Sequence, residues 1–274
     1  MRTRGIVFVS VMLVLASAAA SLIQAQSGAA PTQAIPRTHD GKPDFTGVWA
    51  GPAWAHAGGP NDTDKPAVIV YDPRKMPPLT PKGKELLFRK ATGNAAYDNP
   101  TGVCLPAGLM LEITSPYAQQ WIQAPNYLVI RYEYQNNASR VIPLDGRPHA
   151  KDIEPTWMGD SVGSWEGETL VIDTVGITEW ALDDKIHQPA ANGEGDGSHW
   201  HSGSLHVIER LRYTGPRTVS YEVTLDDPEY LTQPWTQQYI AVLHPTWTLL
   251  EFVCEENNRC KEGKCVPAEG NEKR

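Results

Sequence analysis

The chain has 274 residues, 41% hydrophobic and 20% charged, with 24 Lys and Arg against 32 Asp and Glu and a formal net charge of -8. That is the composition of a globular protein and argues against collagen-like, coiled-coil and wholly disordered chains. The acidic balance and the lack of any Lys/Arg run argue against nucleic acid as a partner, because such a partner needs counter-charge from a basic face.

Arg2 and Arg4 precede an uncharged run at 6–20 that gives way to small and polar residues. A basic start, a short apolar core and a small-residue exit predict a secretory signal peptide over 1–25, cleaved after Ala20 or Ala25. An uncleaved N-terminal anchor is the alternative. The run is short for a membrane span of about 20 apolar residues, and no later stretch replaces it. A periplasmic or secreted protein with no stable membrane span after cleavage is therefore expected. Residues 26–40 are polar and contain Pro31 and Pro36, which suits a flexible tether before a single domain over 41–274.

Thr80 and Pro81 open the one good helix pattern, with Thr80 as cap, Pro81 at the first helical position and Gly93 as the stop. From 109 onward the chain reads as strands separated by turns, at 109–114, 119–123, 127–135, 139–144, 161–165, 169–175, 204–213, 218–226, 236–244 and 246–254. The joints are too short for parallel crossovers, so the strands form antiparallel hairpins. Val219, Tyr221, Val223 and Leu225 alternate with Ser220, Glu222, Thr224 and Asp226, giving one buried and one wetter face. A meander of this length hides its edges best by closing. The expected fold is an all-β, antiparallel up-and-down barrel with one short helix and rim loops at 51–66, 93–108, 145–160 and 176–203. A sandwich with the same hairpins is the alternative. The run at 246–254 is less regular, with Trp247 and Glu251 on one face, expected to point inward.

Cys104, Cys254, Cys260 and Cys265 form an even set, which in an exported protein suggests disulfides. Cys260–Cys265 and Cys104–Cys254 are the favoured pairs of the three possible pairings. Zinc at these residues is disfavoured, because the spacing lacks the paired C-x2-C knuckles.

Gly47-Val48-Trp49, on the first strand ahead of a meander, resembles the Gly-x-Trp opening of lipocalin-like barrels. That resemblance implies a ligand in the barrel mouth and a Trp plugging the closed end under a basic side chain. A closer resemblance is to a set of exported, largely uncharacterised bacterial proteins. The shared strings are the segment from Asp40 to Trp49 (DGKPDFTGVW), Cys104-Leu105-Pro106, Asp145-Gly146-Arg147-Pro148, Thr156-Trp157-Met158-Gly159 with Ser161-Val162-Gly163, and Trp165-Glu166-Gly167-Glu168-Thr169-Leu170-Val171. Leu205-His206-Val207 with Glu209-Arg210, Asp226-Asp227-Pro228 and Pro234-Trp235-Thr236 complete them. This set implies no settled reaction, and the stretch 183–203 is longer here than its common pattern.

The densest chemical candidate is His199, His201 and His206. In an extended segment His199 and His201 share a side, and His206 could close a three-nitrogen face around a divalent metal such as zinc, which would acidify bound water. The metal-free alternative places Asp173 beside His206 on a neighbouring strand, orienting one ring nitrogen while the other serves as base. Each has a plain counterpart: solvated loop histidines, an Asp satisfying a turn, and Glu209-Arg210 as an exterior charge pair.

Of nine tryptophans, Trp157, Trp180 and Trp200 fall in loops expected to rim the mouth, suiting a small hydrophobic or aromatic molecule. Trp49, Trp165 and Trp247 are expected to fill the core. Arg131 and Glu133 share a face with Val129, either as an internal ion pair beside the ligand or as an external pair of little energetic worth. Three functions follow as expectations. The first is an exported small-molecule enzyme of lyase, isomerase or hydrolase type using His206, Asp173 and His201. The second is a non-catalytic carrier, and the third an envelope module whose loops bind another protein.

Overall fold

The computed structural model describes residues 34–50, 77–87, 92–98, 100–115, 117–134, 138–182, 200–257, 260–261 and 264–265. The expected leader, the tether up to 33, the rim segment 51–66 and His199 lie outside the described residues.

In chain order the elements are β1 (Gly47–Ala50), α1 (Pro81–Leu87), α2 (Ala95–Asp98), a 3-10 turn (Thr101–Val103), α3 (Leu109–Thr114), β2 (Gln119–Ala124), β3 (Tyr127–Tyr132) and β4 (Ser139–Pro143). There follow β5 (Asp160–Glu166), β6 (Thr169–Val175), β7 (Trp180–Ala181), β8 (Trp200–His201), β9 (His206–Gly215), β10 (Thr218–Asp226) and β11 (Trp235–Leu243). The chain continues with α4 (Cys254–Asn257), β12 (Cys260–Lys261) and β13 (Lys264–Cys265).

Nine strands form one antiparallel sheet in the order β4-β3-β2-β1-β11-β10-β9-β6-β5, curled into a nearly closed barrel. Tight hairpins set the register: Ala124 faces Tyr127, Glu166 faces Thr169 and Gly215 faces Thr218. The inner faces are mainly the apolar phases of their strands. Leu128, Ile130 and Tyr132 point inward from β3, Leu170 and Ile172 from β6, Val207, Leu211 and Tyr213 from β9, and Val219, Tyr221, Val223 and Leu225 from β10.

An odd ring of strands cannot alternate direction all the way round, so one neighbouring pair must run parallel. That pair is β4 and β5, the two ends of the sheet order. They share no ladder. Instead Gly163 of β5 lies under the side chains of Ile142 and Leu144, so close that an added Cβ would sit 2.5 Å from Leu144 Cδ2. A side chain at 163 would have to push the Leu144 side chain aside for this seam to close.

Two of the expected strands are absent. Residues 109–114 form α3, a helix buried at every position from Leu109 to Ile113, because a short and mostly apolar run fits either a strand or a helix wrapped on all sides. Its approach is fixed by Gly108, at φ 80°, whose bare Cα lies against Trp180; an added Cβ there would sit 2.9 Å from the indole. Residues 246–254 form no strand, since β10 and β1 already occupy both edges of β11. Trp247 is accordingly exposed and stacked on His244 at 3.7 Å between ring centroids, and Glu251 is exposed rather than inward. Short α2 and α4 add to the one expected helix.

Cys104 and Cys254 are disulfide-bonded, with Cα atoms 5.6 Å apart, and Cys254 opens α4 instead of ending a strand. Cys260 and Cys265 face each other as backbone partners in the β12–β13 hairpin. Among the described residues no helix is long and apolar enough to cross a membrane.

The end of the barrel carrying the hairpin turns is packed with aromatic rings. Trp49 is fully buried, stacks on Trp121 at 4.7 Å and donates from Nε1 to the Phe45 carbonyl at 2.9 Å. Phe45 stacks on Tyr213 and Trp165, and the cation over an indole is Lys42 on Trp165 at 5.4 Å. Trp49 and Trp165 thus both contribute to this packing.

Candidate functional site

At the opposite end, β5 and β9 begin while β6 and β10 finish, so their outward residues converge. Asp173 of β6 and His206 of β9 meet there: His206 Nε2 lies 2.8 Å from Asp173 Oδ1. The expected carboxylate–imidazole pair is present. The same Oδ1 also takes His149 Nε2 at 3.1 Å, and His149 Nδ1 lies 2.9 Å from Asp160 Oδ2, which accepts the Ala150 amide as well. The result is a four-member chain, His206–Asp173–His149–Asp160, partly open to solvent; the His206 side chain is 34% exposed.

An ionised carboxylate only accepts, so the ring nitrogen that meets each aspartate oxygen donates there. With Nε2 of His206 donating to Asp173, Nδ1 is the ring nitrogen left to accept a proton.

His201 is elsewhere in chemical terms. It is buried, its Nδ1 lies 2.9 Å from the Ser202 carbonyl oxygen, and burial lowers its pKa from the ordinary histidine value. Asp227 anchors the same segment by accepting the Ser202 amide at 2.8 Å and the Ser202 hydroxyl at 2.7 Å. His199, the remaining member of the expected metal set, lies outside the described residues. Among the described residues no group of three or more His, Cys, Asp or Glu side chains is placed to hold a metal ion.

The three rim tryptophans do come together. Trp180 packs edge-on against Trp157 at 4.4 Å and against Trp200 at 5.3 Å, and Tyr97 stacks on Trp200 at 4.9 Å. Two of them also border α3. Trp180 Nε1 donates to the Pro106 carbonyl at 2.8 Å, and the Trp157 carbonyl accepts the Leu109 amide at 2.9 Å. The helix packs into the barrel core through Leu109, Met110 and Ile113, and inward-facing Gln119 reaches the carbonyls of Glu112 and Ile113.

Arg131 takes the external of its two alternatives: it is exposed and donates to Gln120 Oε1 at 3.2 Å. Glu133 accepts the Leu250 amide at 2.9 Å, fastening the 246–254 segment to the barrel wall. Glu209 and Arg210 are not one exterior pair, because neighbours on a strand point to opposite faces. Arg210 pairs outside with Glu166, while Glu209 is fully buried.

Inside the barrel, Glu209 meets Arg140 of β4 through two bonds, Nη1 to Oε2 at 2.6 Å and Nη2 to Oε1 at 2.9 Å. The Tyr221 hydroxyl also donates to Glu209. The sequence did carry a signal for this pair: Glu209 is in phase with Val207 and Leu211, and Arg140 with Ile142. A charge in the buried phase of a strand needs a buried partner.

No protein-family model, curated protein or solved structure matches this chain.

Proposed function

We propose that the protein is an exported enzyme that moves a proton on a small molecule at the barrel rim, in a lyase, isomerase or hydrolase step. The observation that carries this reading is Asp173 Oδ1 held between His206 and His149. In it His206 Nδ1 removes a proton from substrate, or from water directed at substrate, and returns it to the leaving group. Asp173 fixes the tautomer and ring plane of His206, His149 holds Asp173 in place, and Asp160 holds His149. The nearby Trp157, Trp180 and Trp200 supply apolar surface for a hydrophobic or aromatic substrate. The Cys104–Cys254 bond is consistent with an oxidising compartment, and so with periplasmic or secreted localisation and kinship to the exported set that the shared strings suggest.

4-Nitrophenyl acetate, which reports an activated imidazole through release of nitrophenolate, tests this reading. The protein should hydrolyse it with saturation, His206→Gln should fall to the uncatalysed buffer rate, and Asp173→Asn should lower kcat about 100- to 10,000-fold, the range expected when a base loses its orienting partner. Equal rates in the parent and His206→Gln proteins would sink it.

A further inference from the structure

His206 opens β9 between two strands that each bring it a carboxylate. Asp173 of β6 lies on one side, and Asp226, the last residue of β10, is its direct register partner on the other. All three occupy the outward phase of their strands. Residues directly opposite in an antiparallel pair have Cβ atoms about 5 Å apart, so Asp226 stands beside the His206 ring. Unlike Asp173, Asp226 uses its carboxylate in no hydrogen bond or ion pair among the described residues. Its charge is left to act on whatever His206 meets.

The fixed charge on this face has one sign. Of the guanidiniums on the 145–159 loop and the near half of β9, Arg147 is held by Asp145 and Arg210 by Glu166. Lys151, Asp152 and Glu154 of the loop add one further negative charge between them. An anionic substrate would therefore meet carboxylates with no unpaired guanidinium to hold it there. The floor between those carboxylates is aliphatic: Val162 and Ile208 are the register partners of Asp173 on either side, and Val175 is that of Asp160. Aliphatic side chains offer a metal ion nothing, and among the described residues no three acid or imidazole groups are placed to hold one. Carbon-bound hydrogens around a positive charge fit such a floor, with the carboxylate satisfying the charge.

Resting on the proposed role of His206, we infer that Asp226 is the specificity-determining residue of the rim site and that the substrate is a small organic cation. Its quaternary or protonated amine lies against Asp226 and over Val175 and Ile208, while His206 Nδ1 works on a proton a few atoms away.

The test compares two thioesters of the same shape on the full-length protein, acetylthiocholine and its uncharged isostere S-(3,3-dimethylbutyl) thioacetate, with thiol release as the readout. At low salt kcat/KM should favour the cation about fivefold or more, as a screened charge pair allows, chiefly through KM. Asp226→Asn should abolish most of that preference with no change in melting temperature, and Asp226→Glu should keep it. Equal kcat/KM for the two thioesters, or a preference that survives Asp226→Asn, would overturn the inference. Calorimetry with choline and its isostere 3,3-dimethylbutan-1-ol reads the same charge without a reaction. A protein inert toward every ester that still binds choline through Asp226 would refute the catalytic role of His206 and uphold the cation site. One that hydrolyses 4-nitrophenyl acetate through His206 yet binds choline no better than the alcohol would refute the cation site alone.

Discussion

The rim and the interior each join carboxylates to basic partners through hydrogen bonds, yet physically they are opposites. At the rim His206, Asp173, His149 and Asp160 stay in contact with solvent, which screens their charges and lets protons exchange. In the interior Arg140 and Glu209 are sealed from water, and their mutual attraction has to offset a desolvation penalty of several kcal/mol per ion. Proton chemistry on a substrate suits the first arrangement; a fixed, dry brace suits the second.

The largest effect should come from separating the interior pair. Glu209→Leu strands a buried guanidinium and should destabilise the fold by about 3–5 kcal/mol, whereas Glu209→Leu combined with Arg140→Met should recover most of that loss. Chemical denaturation of the three proteins measures it; a double variant no better than the single would show that the two charges do not offset one another.

Glu112 offers the next largest effect, through pH. Its carboxyl keeps its proton in the folded protein up to about pH 9, while the unfolded chain releases it near the ordinary value of 4.5. Between those values the folded state binds the extra proton, so its stabilising contribution is complete below 4.5 and is lost as pH rises toward 9. Glu112→Gln should remove that downward slope and be more stable than the parent at pH 8. His201 works in the other direction: its lowered pKa means that stability is lost as the pH falls below the ordinary histidine value of 6.5. Melting temperatures from pH 4 to 9 in both proteins read the difference, and parallel curves would contradict the burial of an unpartnered Glu112.

The smallest effect should come from the outer end of the rim chain. Asp160→Asn should change global stability by less than about 1 kcal/mol, as solvent-screened pairs do, while lowering turnover of the ester probe through a looser His149. A stability loss comparable to that of Glu209→Leu would erase the distinction between the two regions.

The sheet was legible because alternate residues of β9 and β10 are apolar, with Glu209 the exception, and a two-residue turn joins the two strands. The meeting of Asp173 and His206 followed from the same hairpin logic. His149 was not legible, because it reaches Asp173 from the 145–159 loop, whose path no periodicity describes. Residues 109–114 were misread because Leu109, Leu111 and Ile113 alternate with Glu112 and Thr114 as they would in a strand, and only Gly108 and the surrounding tryptophans decide that the segment is a helix. In 246–254 the mixed faces were themselves the warning, since a segment that pairs with no strand has no reason to alternate. Glu209 was misjudged by its neighbour: read with Arg210 it looks like a surface pair, but read with Val207 and Leu211 it belongs to the core.

The parallel meeting of β4 and β5 gives the barrel a hinge line. A ring with an even number of strands can widen only by breaking a ladder, but this one can part at the seam while all of its hydrogen-bonded ladders stay intact. The cost of a wider lumen then lies in the contacts that Ile142 and Leu144 make over Gly163 and in the strain on the buried Arg140–Glu209 pair, which joins β4 to β9 across the lumen. Arg140 stands on β4 itself, so parting the seam would also carry one wall of the interior outward, coupling the bore of the barrel to the spacing of its buried charges.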